Sequence, residues 1–224
     1  MNSHQSIQIL RLHLLDMARM CQRAVDYALK AYSLGSPECC MLVRNNKPEI
    51  NLRHLQIEES TREILLMEIS DTLDLRFVLS ADRICNALEE IHVHADDIAT
   101  TSMHLLESSR RIGCKELVSM GDVVNRLMRL CVVSLFEEST GHAETVLRSE
   151  GVKGALEISF FESLNTLDRS DIAEAVYEIA IADSLSRMAH ELREVANAIM
   201  FWLNDSEHDW VPCNTEPCMV LCER

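Results

Sequence analysis

One stretch constrains the chain more than any other: Asp71 to Ala99, DTLDLRFVLSADRICNALEEIHVHADDIA. Its apolar residues Phe77, Ala81, Ile84, Leu88, Ile91, Ala95 and Ile98 recur at steps of 4 and 3. That period lines up as one stripe only on a helix, here of about seven turns, so the spacing predicts the seam of a helix bundle. Glu89, His92, Val93 and Asp96 fall on a neighbouring stripe, because residues three, four and seven apart lie almost above one another at 3.6 residues per turn. A core face and a polar face therefore run side by side.

The same period recurs along the chain. Ile7, Leu10, Leu14, Met17, Cys21, Ala24 and Ala28 predict a first helix over about 6–32, stopped by Gly35-Ser36-Pro37. Pro48 suits a first helical turn, so a second helix is expected from there to about Ile69, with Ile50, Ile57 and Ile64 every seventh residue. Ser70-Asp71 then offers a cap to the third helix, which runs towards Ser109. Leu117, Met120, Val124, Leu127 and Cys131 mark a fourth helix that breaks near Ser139-Thr140-Gly141, and His142 to Arg148 form a short helical piece. Gly151 to Gly154 introduce a fifth helix carrying Ile158, Phe161 and Leu164, and Ser170-Asp171 open a sixth.

The sixth helix repeats the third. A shift of 97 lays Asp74-Leu75 on Asp171-Ile172, Ile84 on Ile181, Leu88 on Leu185 and Ile91 on Met188. It also lays Ala95 on Leu192 and Ile98-Ala99 on Val195-Ala196. The expected fold is all-α: two tandem three-helix bundles related by an internal repeat, over 1–109 and 110–204, with a cysteine-containing tail at 205–224.

Composition agrees and narrows the function. Six glycines, four prolines and 4% aromatic residues favour helices over sheets. A formal charge of −15 disfavours nucleic acid, which needs concentrated Lys and Arg, and an anionic membrane surface. Arg11, Asp16, Arg19, Arg23 and Asp26 interrupt any secretory apolar core, and the late apolar run Ala198 to Leu203 is far short of the roughly 20 residues a span needs. A cytoplasmic protein with reduced thiols is expected. Of its nine cysteines, Cys21, Cys85 and Cys131 occupy core positions, while Cys213, Cys218 and Cys222 lack zinc-site spacing.

The best metal-ligating candidates are Glu89, His92 and Asp96; these ligands suit iron, manganese or zinc. A solvated polar face is the competing reading. His190 and Glu194 read as a surface pair on the sixth helix. No Gly-x-Ser-x-Gly, phosphate loop or buried acid pair argues for catalysis, so no enzyme is expected.

Asp74-Leu75-Arg76, followed by the apolar heptad that ends in Leu88-Glu89-Glu90-Ile91-His92-Val93-His94-Ala95-Asp96-Asp97-Ile98-Ala99, resembles the third helix of the PhoU family of phosphate-uptake regulators. The run Leu117 to Ala143 is similar to the start of that family's second repeat. The resemblance covers most of residues 7–203. It implies a regulator that binds the ATPase subunit of a phosphate importer, or a sensor histidine kinase, and restrains it, acting as a homodimer. It also implies a metal cluster held partly by a Glu/Asp-x-x-x-Asp pair on the third helix. Here Glu89 is kept, Val93 stands at the second acid, His54 on the second helix stands at a family carboxylate as a further donor, and Ser186 and His190 stand at the paired acids of the second repeat. Asp74 and Arg76 are the matching motif residues, with Asp74 favouring the helix start and Arg76 free to pair with a carboxylate of the second helix. The alternative is a helical-bundle iron or zinc protein with no transporter partner.

Overall fold

The computed structural model describes residues 3–67, 69, 71–108, 113–149, 154–155, 158–162 and 172–204. Among them every regular element is a helix: α1 (Ser3–Leu34), α2 (Pro37–Leu65), α3 (Thr72–Glu107), α4 (Lys115–Glu137), α5 (Thr140–Leu147) and α6 (Ile172–Leu203). Residues 158–162 add a further helical turn. None of these helices is long and apolar enough to cross a membrane. The tail with Cys213, Cys218 and Cys222, residues 109–112, Leu164 and Ser170-Asp171 lie outside the described residues.

The ends of the helices follow from local chemistry. Gly35 takes φ +63°, a left-handed conformation that costs glycine little, and closes α1. The next residue, Ser36, caps α2 by accepting the Cys39 N–H at 3.3 Å, with Pro37 in the first turn. Asp71 caps α3 by accepting the Leu73 N–H at 2.8 Å, and Asp74 lies in the first turn, where a carboxylate favours the helix dipole. Glu138 ends α4 in the left-handed region at φ 50°.

One boundary differs from the sequence expectation. α2 begins at Pro37 and runs straight through Pro48, which stands in the helix interior. Pro48 is exposed, as is Arg44, whose carbonyl loses its N–H partner to the proline, and the core residues Val43 and Ile50 straddle it in unbroken heptad register with Ile57 and Ile64.

α1, α2 and α3 pack pairwise into one bundle, and α4, α5 and α6 into another; the most extensive contact in the molecule joins α3 to α6. These two helices are antiparallel along their length. Arg76 Nη1 donates to the Asn204 carbonyl at 2.6 Å, Ser80 Oγ to the Ala198 carbonyl at 3.0 Å, and the rings of His104 and Tyr177 lie 6.3 Å apart near the other end. The repeat is visible in the core. Ile84 and Ile181, Leu88 and Leu185, Ile91 and Met188, and Ala95 and Leu192 are each buried in both copies. All seven residues of the α3 stripe are buried, as are the seven of α1.

The residues described between α5 and α6 correct a second expectation. Phe160 enters the core, whereas Ile158 and Phe161 are more than half exposed. Adjacent phenylalanines on so short a segment leave the inward face undecided by spacing alone, and packing chooses one ring.

Candidate functional site

The polar stripe of α3 faces α2. Because α2 and α3 run antiparallel, residues seven apart on one meet residues seven apart on the other: Lys47 meets Asp96, and His54 meets Glu89. His54 Nδ1 lies 2.8 Å from Glu89 Oε2, and Lys47 Nζ lies 3.5 Å from Asp96 Oδ2. Arg44 continues the line, with Nη2 3.5 Å from Thr100 Oγ1. Arg53 turns the other way and ties α2 to α1 through Asp16 at 2.6 Å.

His92 does not join this row. It is turned into the core at 1% exposure, and neither ring nitrogen has a hydrogen-bond partner among the described residues. Burial holds its pKa below the ordinary imidazole value of 6.5, with the Lys47 ammonium acting in the same direction and Asp96 and Glu89 against it. Below pH 6.5 the unfolded chain therefore binds more protons than the native one, so stability falls as pH drops through the window between 6.5 and the lowered native value. The slope contributed is at most about 1.4 kcal/mol per pH unit. His92→Leu removes two unpartnered buried nitrogens at similar volume, so it is expected to stabilise by about 1 kcal/mol at neutral pH and to flatten the acid limb. Urea titrations of both proteins at a series of pH values check this; an unchanged acid limb would show that His92 does not drive it. His13, shifted the same way by burial and the Arg53 guanidinium, stays in both proteins and cancels in the comparison.

The sequence candidates are thus partly gathered. His54 and Glu89 touch, Asp96 pairs with Lys47, and His92 faces inward. Among the described residues no three His, Cys, Asp or Glu side chains come together in a way that could hold an ion. Val93, at the position of the second acid, is 37% exposed and offers no oxygen. The donor set present does not fit the metal cluster that the resemblance implies.

On α6, Ser186 and His190 line an open cleft of about 370 Å³ together with Glu90 and His94 of α3 and with Arg187 and Glu191. Burial raises the Glu191 pKa, and the neighbouring Glu90 and Glu194 carboxylates raise it further against the pull of His190 and His94. Glu194 contacts Arg83 of α3 at 3.5 Å and Asn197 at 3.3 Å, so its cross-helix partner belongs to the first bundle. Arg187 is held by Asp183 at 2.8 Å.

The motif residues at the start of α3 act on architecture. Arg76, expected to reach a carboxylate of the second helix, places its guanidinium on the Asn204 carbonyl just past the end of α6. The antiparallel packing brings the N-terminus of α3 against that end, where a cation suits the helix dipole. Nearby sits Arg11, which sequence reasoning missed. Its guanidinium lies 4.8 Å from the centroid of the Phe77 ring and 5.3 Å from that of Trp202, and it pairs with Glu138. No local pattern marks Arg11, since its partners come from three other parts of the chain. The buried thiols are chemically quiet: desolvation raises the pKa of Cys21 and Cys85 strongly and pushes that of Cys131 up to about 12.

Comparison with known proteins supplies what geometry alone does not. Residues 14–101 match the family model described as the PhoU domain. A phosphate-specific transport system accessory protein PhoU homolog from Aquifex aeolicus is 23% identical over 136 residues, which are 61% of this chain and 62% of that protein. The alignment thus takes in less than two thirds of the relative's length. Among solved structures, PhoU from Pseudomonas aeruginosa superposes with a TM-score of 0.85 at 22% identity, covering 90% of this chain and 98% of that one. The phosphate transport system regulatory protein PhoU from Streptococcus pneumoniae gives 0.80 at 19% identity over 92% and 100%. At these identities the structural likeness establishes the fold.

Proposed function

We infer that the chain is a divergent member of the PhoU family and, from that premise, that it is a cytoplasmic accessory regulator of phosphate transport that works by binding rather than turnover. Its partner is the ATPase subunit of a phosphate importer or a sensor histidine kinase, which it restrains, and it acts as a homodimer. The observation that carries this reading is the match of residues 14–101 to the PhoU domain, with a third helix that begins Asp74-Leu75-Arg76.

The physical side of the proposal is simple. Two bundles welded along α3 and α6 present a rigid surface, and a rigid binder biases its partner only by the difference in its affinity for the partner's states. With a formal charge of −15, association should be steered by long-range attraction to a basic face and should weaken as salt screens it. The test is co-purification from cells of the chain's own source, at low and at raised salt. Capture of the importer ATPase subunit or of a phosphate-responsive kinase at low salt, reduced at raised salt, is the expected result. Capture of neither at low salt would remove the proposal.

A further inference from the structure

We infer that the polar face between α2 and α3 is satisfied from within: Lys47 and His54 engage the carboxylates Asp96 and Glu89, and this face neither holds nor needs a metal ion. The inference stands apart from the identity of the partner proposed above. It rests on spacing, on partner atoms and on what lies between them.

Spacing comes first. Glu89 and Asp96 are seven residues apart on one helix, about 10 Å along its axis, too far to share an ion unless a donor between them bridges the gap. The position between them on that stripe, four after Glu89 and three before Asp96, is Val93. The other intermediate donor, His92, is turned into the core. The row therefore reads acid, valine, acid, and a cation placed on it meets one carboxylate at a time.

Each carboxylate is already engaged. His54 presents Nδ1–H to Glu89 at 2.8 Å across the helix pair. Lys47 stands 3.5 Å from Asp96 and also acts on His92. A divalent ion entering the seam would be repelled by the Lys47 ammonium and would have to displace both partners. Lys47 and His54 share the heptad spacing of Asp96 and Glu89, so these two rungs belong to the regular register of the helix pair rather than to two chance surface contacts.

The experiment uses the full chain, purified without tag or chelator from cells grown with added iron, manganese and zinc. Elemental analysis is expected to find well below one ion per chain, and the melting temperature is expected to be the same with EDTA, Mn²⁺ or Zn²⁺. Lys47→Met, Asp96→Asn and the double variant form a cycle: each single change is expected to lower the melting temperature by about 1–3 °C, and the double change by less than their sum. Stoichiometric metal that disappears in Glu89→Gln, or a melting temperature that rises with Mn²⁺ or Zn²⁺, would overturn the inference. So would strictly additive effects in the cycle. Should a variant fail to fold, the metal content and metal response of the unaltered chain still decide it.

Discussion

Trp202→Ala is expected to destabilise the protein by about 3–5 kcal/mol, the range for removing a fully buried large aromatic side chain. Trp202 is 1% exposed near the end of α6, with its ring centroid 4.8 Å from that of Phe77 on α3 and the Arg11 guanidinium over both rings. The substitution therefore does more than empty a cavity. It withdraws the aromatic pair that joins the two repeats and leaves Arg11, of which Nε already lacks a hydrogen-bond partner among the described residues, with less to lie against. For a chain of this length the loss corresponds to a fall in melting temperature on the order of 10 °C. Thermal melts followed by circular dichroism measure it. Trp202→Phe keeps a ring against Phe77 and removes an indole N–H that is itself buried without a partner among the described residues, so its loss should be clearly smaller. Equal losses for the two variants would show that the ring contact does not carry the interface.

Pro48→Ala is expected to act in the opposite direction and stabilise by roughly 2 kcal/mol. A proline inside a helix lacks the N–H for the hydrogen bond one turn back, and its ring crowds that turn, a penalty of about 3 kcal/mol relative to alanine. Here the carbonyl left over belongs to Arg44, an exposed residue, where hydration recovers part of it. The substitution touches no core residue, because Val43 and Ile50 on either side are already in register. Urea titration should show a higher midpoint with an unchanged slope, since the buried surface is the same. A lower midpoint would mean that α2 depends on the proline, for instance on a local bend that its packing against α1 and α3 requires.

The candidate site was legible in part. The heptad row on α3 could be read directly, because a polar stripe beside an apolar one survives in sequence as a period, whereas His54 came from the family resemblance and not from spacing. The pairing of Lys47 with Asp96 could not be read, since it needed a second helix that runs through Pro48, and proline argued locally for a helix start. His92 was misplaced for a related reason. It lies on the polar stripe by spacing, yet α3 is packed on one side by α1 and α2 and on the other by α6, so its buried surface is wider than one stripe. Val78, Ser80, Cys85, Ala87 and Ser102 are buried with it.

What the sequence determined by itself was periodic or local: which segments are helical, which seams they bury, where Gly35 and Asp71 end and begin helices, and that the third helix is copied in the sixth. Hydrophobic spacing fixes these because a helix turns by the same angle at every residue, whatever it later packs against. What only the tertiary structure decided was contact between distant segments: Arg76 reaching the end of α6, Arg11 lying over Phe77 and Trp202, Phe160 entering the core in place of Phe161, and Lys47 and His54 taking the carboxylates of α3. Those outcomes depend on the angle and register at which whole helices meet, and no stretch of residues carries that information alone.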